Sequence, residues 1–196
     1  MHTYSTDSEE KSRILLAIAA VAFGLAWIIA ILLGETRMPF WLDVPATGSL
    51  YGILYRIFQR WGWRQKFIRR YRIVNLPNLR GEWRGIVRSS FDKYSEKTVT
   101  VQIAQSWTHM SVTLTSEASE SYSTAGSIET GNEVVVSYQY QNIPRAHAND
   151  TMHAHRGTAT LKLSPDGKTL SGEYYSGRDR VNFGTIELKR VEAVIT

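Results

Sequence analysis

Residues 14–33, ILLAIAAVAFGLAWIIAILL, run for 20 positions without a charged side chain. At 1.5 Å per residue, a helix of that length reaches about 30 Å, the thickness of a bilayer's hydrocarbon core. A secretory leader has an apolar core of roughly 7–15 residues followed by a small-x-small cleavage site. This run is longer and ends in Leu32-Leu33-Gly34-Glu35, so the sequence predicts a retained membrane anchor.

A second stretch of membrane length follows at 39–58, PFWLDVPATGSLYGILYRIF, interrupted by Asp43, Pro45 and Gly48. Leu50, Ile53, Leu54, Ile57 and Phe58 keep helical i, i+3, i+4 spacing. An amphipathic helix lying in the interface would show the same pattern. The short link GETRM can turn one helix back beside another, and a second membrane helix is expected here. Seven cations come next, Arg56, Arg60, Arg64, Lys66, Arg69, Arg70 and Arg72, with no acidic residue between Asp43 and Glu82. Such a cluster marks the cytoplasmic side and attracts anionic lipid. Trp61, Trp63, Phe67 and Tyr71, set among the cations, suit an interfacial belt.

The net charge of +5 is unevenly spread. Up to Arg80 there are 11 Lys/Arg against 5 Asp/Glu, and from Gly81 onward 12 against 13 (12 − 13 = −1). The basic excess is confined to the juxtamembrane strip, so no broad cationic groove for a DNA or RNA polymer is expected. Cysteine is absent, which removes disulfide frameworks, thiolate zinc sites and thiol chemistry.

From Gly81 the hydrophobic period becomes two. Val99, Val101 and Ile103 share one face, as do Met110, Val112 and Leu114, then Val134, Val136, Tyr138 and Tyr140. Ala159, Leu161 and Leu163, then Leu170, Gly172 and Tyr174, then Ile186, Leu188 and Arg190 repeat the pattern. With GEWRGIVRS (81–89) and a weaker SYSTAGSIE (121–129), eight strands are expected, joined by turn signals such as SPDGKT at 164–169. Short strands linked by hairpins predict an eight-stranded up-and-down, lipocalin-like β-barrel, with a sandwich as the alternative. Gly81 would let the chain turn closely into the first strand. Trp83 would fill the barrel's narrow end. The Gly81-Glu82-Trp83 entry resembles the G-x-W of lipocalin-like barrels, which implies an arginine of the final strand packed on the tryptophan. Arg190, on the inward parity of Ile186 and Leu188, is expected to be that structural closure. The expected organisation is a cytoplasmic N-terminal tail (1–13), two transmembrane helices (14–33 and about 39–58), a basic-aromatic linker (59–78) and a cytosolic barrel (79–196).

No catalytic signature is present. There is no P-loop, HExxH or GxSxG elbow, and no nucleophile–base pair can be named. His147, His153 and His155 imitate a metal cluster, but no carboxylate sits at a persuasive spacing and no metal site is expected. The Ser- and Glu-rich run from Ser116 to Ser123 reads as a solvated edge or loop. The chain is expected not to be an enzyme and to need no cofactor. The inward parity instead offers aromatic side chains with polar tips: Tyr122, Tyr138, Tyr140, Tyr174, His153 and His155. Arg178, Arg180 and Asn182 add polar groups at the rim. Rings stack on nucleobases and guanidinium pairs with phosphate, although a filled core of satisfied tyrosines would use the same residues.

The layout resembles the two-transmembrane, β-strand-rich effectors of bacterial CBASS antiphage systems. The similarity rests on LPNLRGEWRG, with its Leu-x-Gly-x-Trp-x-Gly entry at 79–85, and on RGTATLKLSPDGKTLSGEYYSGR and GTIELKR. It implies a cytosolic barrel that binds a cyclic dinucleotide made by a partner nucleotidyltransferase, a CD-NTase, on infection. It further implies homo-oligomerisation, and disruption of the inner membrane by the helices as abortive infection. The binding set expected within that scheme is Tyr122, Tyr138, Tyr140, His155, Tyr174, Arg178, Arg180 and Asn182. Gly24 and Gly34, and Gly48 and Gly52, would permit close helix approach. The competing expectations are a membrane-tethered, lipocalin-like binder of an apolar molecule and an adaptor with a filled barrel.

Overall fold

The computed structural model describes residues 1–32, 34, 40–146, 153–177 and 182–192. The chain forms two compact units, residues 8–75 and a second unit made of residues 1–7 together with 76–196.

The first unit is helical. Helix α1 spans Glu10–Leu32 and α2 spans Phe40–Arg60, and the two pack against one another. Among the described residues, α1 is the helix long and apolar enough to cross a membrane. Its Leu16, Phe23, Trp27 and Leu32 are exposed, an apolar surface that water does not tolerate well. The described part of the second stretch, residues 40–58, is helical. Pro45 lies inside α2 and removes one intrahelical hydrogen bond. A 3-10 turn at Gly62–Arg64 and the short helix α3 (Lys66–Arg70) carry the basic-aromatic linker. The Glu10 carboxylate accepts the Asn75 backbone N–H at 2.7 Å, joining the first turn of α1 to the end of this unit.

Among the described residues, the second unit is a closed barrel of nine strands. Eight of them are the strands the alternating pattern announces: β2 (Gly81–Ser89), β3 (Glu96–Gln105), β4 (His109–Thr115), β5 (Ser119–Glu129), β6 (Val134–Pro144), β7 (His155–Leu163), β8 (Thr169–Ser176) and β9 (Phe183–Arg190). The expected count of eight is corrected by β1, His2–Thr6, which lies in the segment assigned to an N-terminal tail. The order around the barrel is β1-β4-β3-β2-β9-β8-β7-β6-β5. β1 runs antiparallel to β4 (His2↔Met110, Thr3↔His109) and parallel to β5 (Tyr4↔Gly126, Ser5↔Ser127, Thr6↔Ile128), completing the circle.

One end of the barrel is plugged. Trp83, Trp107, Leu79, Met110, Ile128, Leu170 and Leu188 are fully buried there. The Trp83 indole donates to the Leu79 carbonyl at 2.9 Å, and the Arg190 guanidinium carbon lies 4.6 Å from the Trp83 ring centroid, as the sequence predicts. Arg190 also donates to the Asn78 carbonyl, so the final strand pins the segment leading into the first of the hairpins. Gln105 does the same from β3, accepting the Leu79 N–H at 2.7 Å and donating to the Pro77 carbonyl at 3.1 Å. Gly81 has φ of +132°, a conformation in which any side chain is strained. The close turn into β2 therefore requires glycine.

Tyr4 anchors β1 at this same end. It is 4% exposed, and its hydroxyl donates to the Trp107 carbonyl at 2.6 Å. Asp7, just past the strand, accepts the Thr130 backbone N–H with both carboxylate oxygens at 3.0 and 3.1 Å.

Candidate functional site: the open mouth of the barrel

Period-two alternation sends every second residue inward, and at the end opposite the tryptophan plug these side chains do not fill the space. They surround a cavity of about 620 Å³, inside the roughly 300–1,000 Å³ range of small-molecule sites. Its wall is built from Val87 and Ser89 of β2, Val99 of β3, Val112 and Leu114 of β4, and Ser119 and Ser121 of β5. Tyr138, Tyr140 and Asn142 of β6, His155 of β7, Tyr174 and Ser176 of β8 and Ile186 of β9 complete it, with Asn182 from the β8–β9 connection. Phe91, Lys97, Glu96 and Glu117 stand at the rim.

The apolar half of the wall faces a polar, aromatic half. Tyr138 and Tyr140, two apart on β6, are 6% and 8% exposed, with ring centroids 6.4 Å apart and tilted by 58°. The His155 ring meets Tyr140 edge-on at 6.4 Å. Gly157 makes room for this arrangement: a Cβ there would collide with the Tyr140 phenol and with the Tyr175 carbonyl. Burial, with a smaller contribution from the neighbouring Tyr140 charge, pushes the Tyr138 hydroxyl well above the usual phenol range. Tyr138 therefore presents a neutral hydroxyl, a donor as well as an acceptor.

Beside the tyrosines lies a cluster of short polar side chains. The Asn142 amide donates to Ser119 Oγ at 2.9 Å and Ser121 Oγ at 2.8 Å, and Ser119 Oγ is 3.2 Å from Ser116 Oγ. Asn142 Oδ1 is buried and has no hydrogen-bond partner among the described residues. Ser116, Glu117, Ala118, Ser119 and Ser121 thus line the cavity, where the sequence suggested a solvated edge. Ser119 and Ser121 are inward by parity, but small polar side chains give no hydrophobic alternation to reveal it.

Of the residues expected to bind ligand, the structure brings Tyr138, Tyr140, His155, Tyr174 and Asn182 together in this wall. Tyr122 does not join them. It is 38% exposed on the outer face, because Ser119 and Ser121 hold the inward positions of β5. A register break between Ser123 and Ala125 resets the alternation further on, putting Gly126 and Ile128 on the inner side. Counting parity back from those residues without the break selects the wrong face. Arg178 and Arg180, and also His147, lie outside the described residues. Lys97 is the cationic side chain of the described wall.

Two kinds of comparison agree on what this barrel is similar to. The profile of the family "Cap15, cyclic dinucleotide receptor domain" matches residues 74–190, more than half of the chain. CD-NTase-associated protein 15 of Yersinia aleksiciae is 29% identical over 200 residues, covering 93% of each chain. CD-NTase-associated protein 15 of Staphylococcus schleiferi is 25% identical over 155 residues, covering 78% of this chain and 81% of the relative. The matched span runs from the approach to β2 through the last residue of β9, so it takes in eight of the nine strands and the described cavity wall. The chain belongs to the Cap15 cyclic dinucleotide receptor family.

Proposed function

We propose that the mouth cavity binds a cyclic dinucleotide supplied by a CD-NTase, and that binding drives this chain to assemble and breach the bacterial inner membrane. The observation that carries the reading is the cavity wall itself: phenol and imidazole rings beside hydrogen-bonding tips, in the domain of a receptor family. Tyr138, Tyr140, Tyr174 and His155 supply faces for stacking on bases and hydroxyls for their edges. Asn182 and Asn142 add directional contacts. Lys97, with Arg178 and Arg180 from the connection between Ser176 and Asn182, supplies charge for the two phosphates. Nothing in this set is a nucleophile paired with a base, and the role is that of a receptor, not an enzyme.

Helices α1 and α2 are the membrane-active part, both crossing the bilayer with the barrel in the cytoplasm. The arginine band from Arg56 to Arg72 favours that side. Gly24 of α1 and Gly48 and Gly52 of α2 have open space where a Cβ would stand, which suits close approach of helices from other copies.

Calorimetry on the full chain in nanodiscs, titrated with a panel of cyclic dinucleotides, tests the receptor step. One member is expected to bind at micromolar concentration or tighter. Lys97→Ala and Arg178→Ala are each expected to weaken it about tenfold, as the loss of a charge-assisted phosphate contact would. A folded protein that binds none of the panel would leave the barrel and anchor standing and remove the signalling role. Dye release from anionic liposomes on ligand addition tests the membrane step separately.

A further inference from the structure

The seam between β4 and β5 can close in two ways. These strands are joined by a tight turn and pair directly at only three positions, Thr113↔Tyr122, Leu114↔Ser121 and Thr115↔Glu120. The barrel's other antiparallel neighbours among β2 to β9 pair along most of their length. Below the short paired stretch, β5 makes its register break and β1 occupies the gap. If β1 left, the two arms of the β4–β5 hairpin could continue to zip together and close the barrel with eight strands. Eight is also the count that the alternating pattern from Gly81 onward provides.

We infer that β1 is a displaceable latch: cyclic dinucleotide binding in the mouth shifts the seam from its nine-stranded to its eight-stranded closure and frees His2–Thr6. This rests on the receptor reading above. The mouth pairs Leu114↔Ser121 and Thr115↔Glu120 are common to both closures. The two first differ at Val112, a cavity-wall residue whose N–H now goes to Ser123 Oγ and would face the Ser123 backbone in an extended ladder. A ligand that touches Val112 therefore distinguishes them.

A direct connection joins the cavity to the latch. The Val112 N–H donates to Ser123 Oγ at 2.8 Å, and Ser123 Oγ is hydrogen-bonded to His2 Nε2 at 2.7 Å. A shift of Val112 therefore acts on the first residue of β1. The strand is short and Tyr4 is its single buried side chain, so what its release gives up is confined to that ring, the Tyr4–Trp107 hydrogen bond, the Asp7–Thr130 contacts and five paired positions. The consequence falls on α1, which begins at Glu10, just beyond Asp7. With β1 inserted, both chain connections to residues 8–75 are held by one barrel. With β1 free, only the connection at Leu76 remains, and α1 can exchange partners among assembled copies.

A reversible crosslink tests the latch in the full chain. The protein has no cysteine, so Thr3→Cys with His109→Cys gives a single disulfide across facing positions of β1 and β4. In nanodiscs, oxidation is expected to weaken cyclic dinucleotide affinity about tenfold, because coupling between sites is reciprocal. In liposomes it is expected to abolish ligand-dependent dye release, and dithiothreitol is expected to restore both. Equal affinity in the two redox states, or tighter binding when oxidised, overturns the latch. Absence of binding even when reduced sinks the receptor reading instead, and the latch falls with it. Ser5→Cys with Ser127→Cys locks the other edge of β1 and serves if the first pair fails to fold.

Discussion

Asn142 occupies the most demanding position in the cavity wall. Both of its described hydrogen bonds use the amide N–H groups, on Ser119 and Ser121, and its carbonyl oxygen has no partner among the described residues. A buried neutral acceptor in that condition costs about 1–3 kcal/mol, and the cost is tolerable only where something else is gained. Here the amide fixes two serines of β5 against β6 within the proposed base-binding surface. Asn142→Ala is expected to lower stability by about 1–2 kcal/mol in urea unfolding and to weaken cyclic dinucleotide binding. Tyr122→Ala, on the outer face, is expected to leave affinity within about twofold in the same calorimetry. Tyr138 yields a prediction in pH. Its unfolded phenol titrates near about 10, whereas burial holds the folded one neutral to higher pH. The folded state therefore binds more protons above about pH 10, and stability declines as pH rises through that window while remaining intact below it. Tyr138→Phe is expected to flatten this alkaline decline in urea titrations at about pH 9 to 12.

At the scale of elements, legibility follows from how local each signal is. Strands β2 to β4 and β6 to β9 carry bulky inward residues at strict alternation, so their existence and facing could be read residue by residue. The β7–β8 turn was equally plain. Asp166 accepts the Lys168 N–H at 3.0 Å, Gly167 takes φ of +71°, and the Ser164 and Lys168 contacts hold the Asp166 carboxyl below its ordinary range. The Trp83–Arg190 contact was accessible through the likeness of the entry to lipocalin-like barrels together with the inward parity of Arg190, and the two residues face each other across β2 and β9. β5 was half-legible: serines replace apolar residues at its mouth end, and the register break at Ser123/Ala125 reverses the count. β1 carried no local mark. Its sequence, HTYST, offers one inward aromatic, and its partners lie more than 100 residues away in β4 and β5. Such a strand is specified by the unfilled seam that receives it and by Tyr4 and Asp7, and pattern counting along five residues cannot detect either.

At the scale of the whole molecule, β1 constrains the membrane topology. Its five residues and the strands from Gly81 onward belong to one barrel, and a folded barrel lies on one side of a membrane. Any crossings made by the chain between Asp7 and Leu76 must therefore be even in number, zero included. If α1 spans the bilayer, a second segment has to bring the chain back. The second helix of that stretch long enough to do so is α2, whose 21 residues correspond to about 31 Å of helix. This argument is independent of hydropathy, which Asp43 and Pro45 weaken in α2. It also agrees with the arginine band that follows. Single-cysteine labelling in cells tests it, since the chain has no cysteine of its own. Thr36→Cys, in the connection between the helices, is expected to react with a membrane-impermeant maleimide added to spheroplasts. Ser8→Cys and Lys93→Cys are expected to react only after lysis. Labelling of Ser8→Cys but not Lys93→Cys in intact spheroplasts would place the two parts of the barrel on opposite sides of the membrane, which a closed nine-stranded barrel forbids. Protection of Thr36→Cys would mean that neither helix crosses, leaving α1 and α2 to lie along the cytoplasmic face.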